Sequence, residues 1–138
     1  GGVVAEVECQ LAAGDVAASR RRIAEYTAYK QAHQPLAVPS AGCLFKNVGL
    51  TPDDQWLRQR FAAVIKDNRL PAWALISAAG LAGKTVGRIQ ISQLHANFFT
   101  NLGGGTAEQV VMLASLVKQR VRDSFGVQLQ EEVQFIGF

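Results

Sequence analysis

The sequence predicts an α+β domain, a single body of 138 residues in which helices pack on a mixed or mostly antiparallel sheet. Three observations carry that expectation. Segments at both ends, 3–11 and 127–136, alternate apolar and polar residues as half-buried strands do. Four stretches between them open or close with helix-capping chemistry. Their order is not a regular strand–helix–strand repeat, which argues against a parallel doubly wound sheet. A hydrophobic content of 49 % with 18 % charged residues suits a chain that fills one core.

In the first segment Val3, Ala5, Val7, Cys9 and Leu11 share one face and Val4, Glu6, Glu8 and Gln10 the other, so Cys9 is expected as a small core residue. Gly14-Asp15 ends it, and Asp15 can cap a helix over 16–32. Pro35 and Pro39 bracket an extended connection. Thr51-Pro52-Asp53-Asp54 combines a hydroxyl cap, a proline at the first helical position and acids for the helix dipole. Leu57, Phe61, Val64 and Ile65 continue it as an apolar stripe, so 52–66 is expected to be helical. A second, short helix over 72–79 stops at Gly80, a left-handed cap.

Strand-like segments follow near 85–92 and 96–101. Gly103-Gly104-Gly105 then turns the chain into Thr106-Ala107-Glu108-Gln109, a capping-box pattern. Its helix runs to about Ser124, with Val110, Leu113, Val117 and Val121 inward, and Gly126 stops it. In the last segment Val127, Leu129, Val133 and Phe135 oppose Gln128, Gln130, Glu132 and Gln134. Glu131 falls on the apolar side, a conflict that a bulge or a break in register would resolve.

Composition removes several function classes. The formal net charge is +3, and the short run Arg20-Arg21-Arg22 reads as a solvated helix face, so no nucleic-acid partner is expected; small anionic molecules suit the balance. No apolar run reaches the ~18–20 residues that span a bilayer and no signal peptide opens the chain, so no membrane partner is expected. Two cysteines and two histidines (His33, His95) make neither a disulfide framework nor a zinc pattern. A reducing, cytoplasmic setting without a metal is therefore expected. The Gly1-Gly2 start reads as a cloning remnant or the edge of an excised fragment.

The chemistry gathers in Pro39-Ser40-Ala41-Gly42-Cys43-Leu44-Phe45-Lys46-Asn47. Small residues bring backbone close to a ligand, and a thiol, a cation and an amide follow. A thiol of ordinary pKa ~8.5 is mostly protonated at neutral pH, so Cys43 can give up a proton as well as act as a nucleophile once ionised. Neither histidine has a spacing that makes it the base for a nucleophile, and a buried structural cysteine is the plain alternative. Lys46 and Asn47, if in a strand, point to opposite faces, one able to reach a phosphate or sugar, or both simply solvated. His95 and Asn97, between two strands, share one strand face and offer a ring nitrogen and an amide. Glu132 lies on the wet side of the last segment. The triple glycine lacks the P-loop lysine and the dinucleotide spacing, which favours a flexible turn over a phosphate cradle.

Taken together these segments resemble the C-terminal part of the UDP-N-acetylenolpyruvoylglucosamine reductase family. The likeness rests on Gln34-Pro35-Leu36 through Asn47, on Leu75-Ile76 with Ala79-Gly80-Leu81-Ala82-Gly83, on Ile91-Ser92 with His95-Ala96-Asn97-Phe98 and Asn101, and on Phe125-Gly126-Val127 with Glu132-Val133 and Phe135-Ile136-Gly137. The resemblance implies an oxidoreductase of peptidoglycan precursor synthesis, in which NADPH reduces FAD and the flavin passes hydride to the enolpyruvyl group of UDP-N-acetylglucosamine enolpyruvate, giving UDP-N-acetylmuramate. It implies Cys43 as proton donor, where many members have serine, and Glu132 as stabiliser of the enol-like intermediate. Asn47 falls near the substrate's diphosphate and His95 on a substrate-contacting position; Lys46 and Asn97 join them as substrate-binding residues. Lys30 falls where an arginine is frequent.

Residues 48–70 look like an insertion relative to compact members, and Arg88 replaces a usual glycine. Nothing in the chain resembles the family's FAD-binding portion. The chain is thus expected to be an excised substrate-binding domain that binds no flavin and is inactive alone, with self-association through exposed edges of 127–136 and 3–11. The alternative is a stand-alone module of the same fold that binds a nucleotide-sugar or a protein partner.

Overall fold

A computed structural model describes residues 2–137. The chain divides after Ala32 into two compact units.

In the first unit, residues 2–14 form neither helix nor strand, and Val3, Val4, Val7 and Leu11 are exposed. The strand expected over 3–11 is not formed, and Cys9 is exposed instead of packed in a core. An alternating segment becomes a strand only where a neighbouring edge takes up its N–H and C=O groups. The helix that follows, α1 (Val16–His33), is as expected: the Asp15 carboxylate accepts from the backbone N–H groups of Ala17 (2.8 Å) and Ala18 (3.1 Å). None of its residues is buried.

The second unit is built on an antiparallel sheet. Its strands are β1 (Ser40–Cys43), β4 (Thr85–Val86), β5 (Ile89–Ile91) and β6 (Phe98–Asn101), in the order β1-β6-β5-β4. The α+β class is thus correct, with every pairing antiparallel. The single strand expected near 85–92 is a tight hairpin of β4 and β5, turning at Gly87 (φ +56°). Strand β6 lies inside the sheet, so Phe98, Phe99 and Thr100 are all buried.

Helix α4 (Ala107–Phe125) buries Leu113, Ala114, Val117, Val121 and Phe125 along one stripe. The capping box forms: Gln109 N–H donates to the Thr106 hydroxyl, and Thr106 N–H donates to Gln109 Oε1. Gly126 ends the helix in the left-handed conformation. Gln109 Oε1 also accepts from Arg88 N–H, and the Arg88 guanidinium donates to the carbonyls of Leu102 and Gly103, so Arg88 ties the hairpin to the glycine turn. Helix α3 (Ala72–Ala78), followed by Gly80 at φ +73°, buries Ala72, Ala74, Leu75 and Ile76.

Between β1 and α3 the chain makes a side unit: β2 (Val48–Gly49), α2 (Gln55–Arg60) and β3 (Arg69–Leu70), with β2 and β3 paired antiparallel. The helix expected over 52–66 is much shorter. Asp54 does not cap it; its carboxylate turns back to accept from Thr51 N–H and Oγ1–H (both 2.7 Å), which closes 51–54 as a turn and delays the helix start. Phe61 then packs edge-on to Phe125 at 5.8 Å, and the chain leaves the helix there.

The final segment is also not a continuous strand. Val127 and Leu129 are buried and residues 130–132 lie antiparallel to 44–46, through Lys46 N–H to Gln130 O (2.9 Å) and Glu132 N–H to Leu44 O (2.8 Å). Gln134, Phe135 and Ile136 are exposed. Glu131 needs no bulge: it faces α4 and pairs with Lys118 Nζ at 2.9 Å.

Candidate active site

Strand β1 reaches the site through an irregularity. Ser40 pairs with Thr100 and Cys43 with Phe98, a shift in register between them. Gly42 at φ +85° makes that shift possible, with its N–H donating to Ser40 Oγ at 3.1 Å. The chain beyond is clamped by Asn97. Phe45 N–H donates to Asn97 Oδ1 (2.9 Å), and Asn97 Nδ2 donates to Phe45 O (2.8 Å). Both buried polar groups of Phe45 are satisfied by one side chain, each worth about 1–3 kcal/mol if left orphaned.

These constraints place Cys43, Lys46, Asn47, Asn97 and Glu132 around one cleft of about 300 Å³, together with Phe45 and Arg69. Asn97 sits in its floor, buried, with both ends of its amide engaged. It belongs to a turn, so it does not share a strand face with His95. Lys46 and Asn47 are likewise outside any strand. Asn47 Oδ1 accepts from Ala72 N–H at 3.3 Å, which leaves its amide N–H groups to donate. A second cleft of about 210 Å³ adjoins it, sharing Lys46 and Asn47 and adding Gln128 and Gln130.

Burial pushes the Cys43 thiol above its usual pKa, the negative charge of Glu132 pushes it further, and the Asn97 hydrogen bond opposes them. The thiol therefore stays protonated at neutral pH. The cleft thus gathers a thiol, a carboxylate whose charge acts on it, and three side chains with N–H groups to donate, Lys46, Asn47 and Arg69.

His95 does not line this cleft. Its ring lies edge-on to Phe98 at 4.7 Å and tilted against Trp73 at 6.3 Å, and burial lowers its pKa, which keeps it neutral. Its Nδ1 is buried without a hydrogen-bond partner among the described residues. A larger cleft of about 420 Å³, lined by Ser40, Gly42, Ile89 and Phe99 among others, holds no ionisable side chain. Sequence reasoning missed Arg69; its only local signal is a cation just before the Leu70-Pro71-Ala72 helix start. Among the described residues no three His, Cys, Asp or Glu side chains cluster as metal ligands, and no helix is long and apolar enough to cross a membrane.

Comparison with known proteins gives a consistent result. Residues 34–136 match the C-terminal domain of UDP-N-acetylenolpyruvoylglucosamine reductase. The reductase of that name from Anaeromyxobacter sp. (strain K) is 39 % identical over 137 residues, covering 99 % of this chain and 36 % of the relative. That from Myxococcus xanthus (strain DK1622) is 39 % identical, covering 99 % and 38 %. Among solved structures, the reductase from Thermus caldophilus superposes with a TM-score of 0.54 at 32 % identity, covering 83 % of this chain and 33 % of that one. The chain spans a little over a third of the length of the curated relatives it matches.

Proposed function

The chain belongs to the UDP-N-acetylenolpyruvoylglucosamine reductase family, whose C-terminal domain it matches over residues 34–136, and from that premise we propose that it is the substrate-binding domain of such a reductase. The parent is a cytoplasmic FAD- and NADPH-dependent enzyme that converts UDP-N-acetylglucosamine enolpyruvate to UDP-N-acetylmuramate. Residues 48–70 are an insertion in this domain relative to compact relatives.

No residue of this chain is assigned to hold the flavin. In the parent, a bound NADPH-reduced flavin would supply the hydride for the enolpyruvyl methylene carbon. The task left to this domain is to bind the substrate and protonate the neighbouring carbon. Cys43 Sγ–H is the proton donor. Its half-buried position beside Glu132, which keeps the thiol protonated, is the observation that carries this reading. Glu132 stabilises the enol-like intermediate, and Lys46 and Asn47 bind the anionic part of the substrate. Asn97, tied to Phe45, holds the cleft wall in place, a positioning role. His95 is a further substrate contact in this reading, although its neutral ring lies outside the cleft and its Nδ1 is buried.

The test separates the two half-reactions. In the complete reductase, Cys43→Ala is expected to slow product formation by about 10²–10⁴-fold while reduction of the flavin by NADPH persists. Equal loss of both half-reactions removes Cys43 from the proton-donor role. The isolated 138-residue chain is inactive and self-associates, which the exposure of Val3 (94 %), Leu11 (86 %) and Ile136 (86 %) supports. Light scattering that shows a monomer at high concentration refutes the self-association.

A further inference from the structure

The side unit 48–70 puts one charged residue into the cleft, and its construction holds that residue still. Asp67 (φ +49°) and Asn68 (φ +58°) occupy the two left-handed positions of a tight turn, closed by Arg69 N–H to Lys66 O (2.8 Å) and Lys66 N–H to Arg69 O (3.1 Å). Asn68 Nδ2 donates to Leu50 O at 2.8 Å, and the Arg58 guanidinium donates to Leu50 O, Thr51 O and Asn68 Oδ1. On its other side Arg69 pairs with Gly49, and Leu70 next to it is fully buried. The backbone of Arg69 is thus fixed at both neighbours while its side chain stays exposed on the cleft.

That side chain makes no hydrogen bond or ion pair among the described residues, and neither does Lys46. The acid in the cleft is Glu132, which makes no ion pair with either cation. Two cations and the amide N–H groups of Asn47 thus line the same cleft as donors that hold no acceptor among the described residues. A guanidinium offers a planar fork suited to two phosphate oxygens at once, whereas an ammonium acts as a point charge. Two positive charges match the charge of a diphosphate better than that of one carboxylate.

Resting on the function proposed above, we infer that Arg69 is a substrate-binding residue that grips the diphosphate of the nucleotide sugar with Lys46 and Asn47, and that segment 48–70 is the arm that delivers it. The segment then contributes to affinity for any ligand carrying the diphosphate, whether or not it carries the reacting enolpyruvyl group.

The test is calorimetry on the full-length reductase with two ligands: the enolpyruvate substrate, and UDP-N-acetylglucosamine, which keeps the diphosphate but lacks the enolpyruvyl carboxylate. Arg69→Gln is expected to weaken both by a similar factor, about ten- to hundredfold, with Arg69→Lys recovering part of the loss. Lys66→Gln, on the same turn but outside the cleft, is expected to leave both affinities unchanged and controls for overall charge. Loss for the enolpyruvate substrate alone assigns Arg69 to the carboxylate and overturns the inference. Unchanged binding of both ligands by Arg69→Gln, with the unaltered enzyme binding normally, overturns it too and leaves the proposed function standing. Failure of the unaltered enzyme to bind either ligand overturns the function and this inference with it.

Discussion

Residues 3–11 and 127–136 share one sequence pattern and meet different fates. Both alternate apolar side chains with glutamate and glutamine. In the first, Val3, Val7 and Leu11 are exposed and no strand forms. In the second, Val127 and Leu129 are buried and residues 130–132 are held by backbone hydrogen bonds to Leu44 and Lys46. The difference teaches that alternation states only which face can be buried. Whether it is buried depends on an edge elsewhere in the chain whose unpaired N–H and C=O groups face it. For 127–132 that edge is the stretch just after Cys43, so the pairing that seats this segment also carries Glu132 to the thiol.

The most direct attack on this contrast is to truncate one apolar side chain in each segment. Leu129 is 1 % exposed, so Leu129→Ala leaves a cavity and is expected to cost about 2–5 kcal/mol in denaturant unfolding. Val7, 72 % exposed, is expected to tolerate Val7→Ala within about 0.5 kcal/mol. Comparable losses at the two sites would mean that 3–11 is packed after all.

The two cysteines sharpen the same contrast by a smaller factor. Cys9 lies in the exposed segment, and Cys43 is half-buried beside the well-seated one. Only the thiolate is alkylated, and burial followed by the charge of Glu132 raises the Cys43 pKa. At neutral pH, Cys9 is expected to react with iodoacetamide at least about tenfold faster than Cys43, followed by peptide mass spectrometry. The Cys43 rate should keep climbing with pH beyond the ordinary thiol range, and activity of the parent should hold until the same range is passed. Faster reaction at Cys43 would show an ionised thiol, which cannot serve as the proton donor.

What could be read locally from the sequence is what the fold bears out most directly. The Asp15 cap, the Thr106–Gln109 box and the stops at Gly80 and Gly126 each depend on residues within one turn of one another. Thr51-Pro52-Asp53-Asp54 shows the limit even there, because the same side chains that cap a helix also close a turn, and Asp54 chose Thr51. The meeting of Cys43 with Glu132 was legible only through resemblance to a family; no spacing rule joins residues so far apart. Arg69 was hidden for a further reason. Its place depends on a two-residue turn at Asp67-Asn68 and on pairing with Gly49, which lie on either side of the stretch 52–66 that reads as a helix.

The smallest expected effect concerns Glu131, where the seated segment meets α4. Its carboxyl is held below the usual range first by the hydrogen bond from Lys118, against some burial, with help from its own backbone N–H and the Lys118 charge. A carboxylate whose folded pKa is depressed adds stability above its unfolded pKa of ~4.3 and loses it as pH falls through the lower, folded value. The contribution is thus present at neutral pH and disappears only in acid. Both partners are partly solvated, at 30 % and 28 % exposure, so solvent screening keeps it to about 0.2–1 kcal/mol. Glu131→Gln is expected to cost that little at pH 7 and nothing measurable near pH 3, with the variant flatter in unfolding free energy across that interval. An equal loss at both pH values would mean that the glutamate holds the segment by packing, and the anchor of 127–132 would then be Leu129 and the backbone pairing alone.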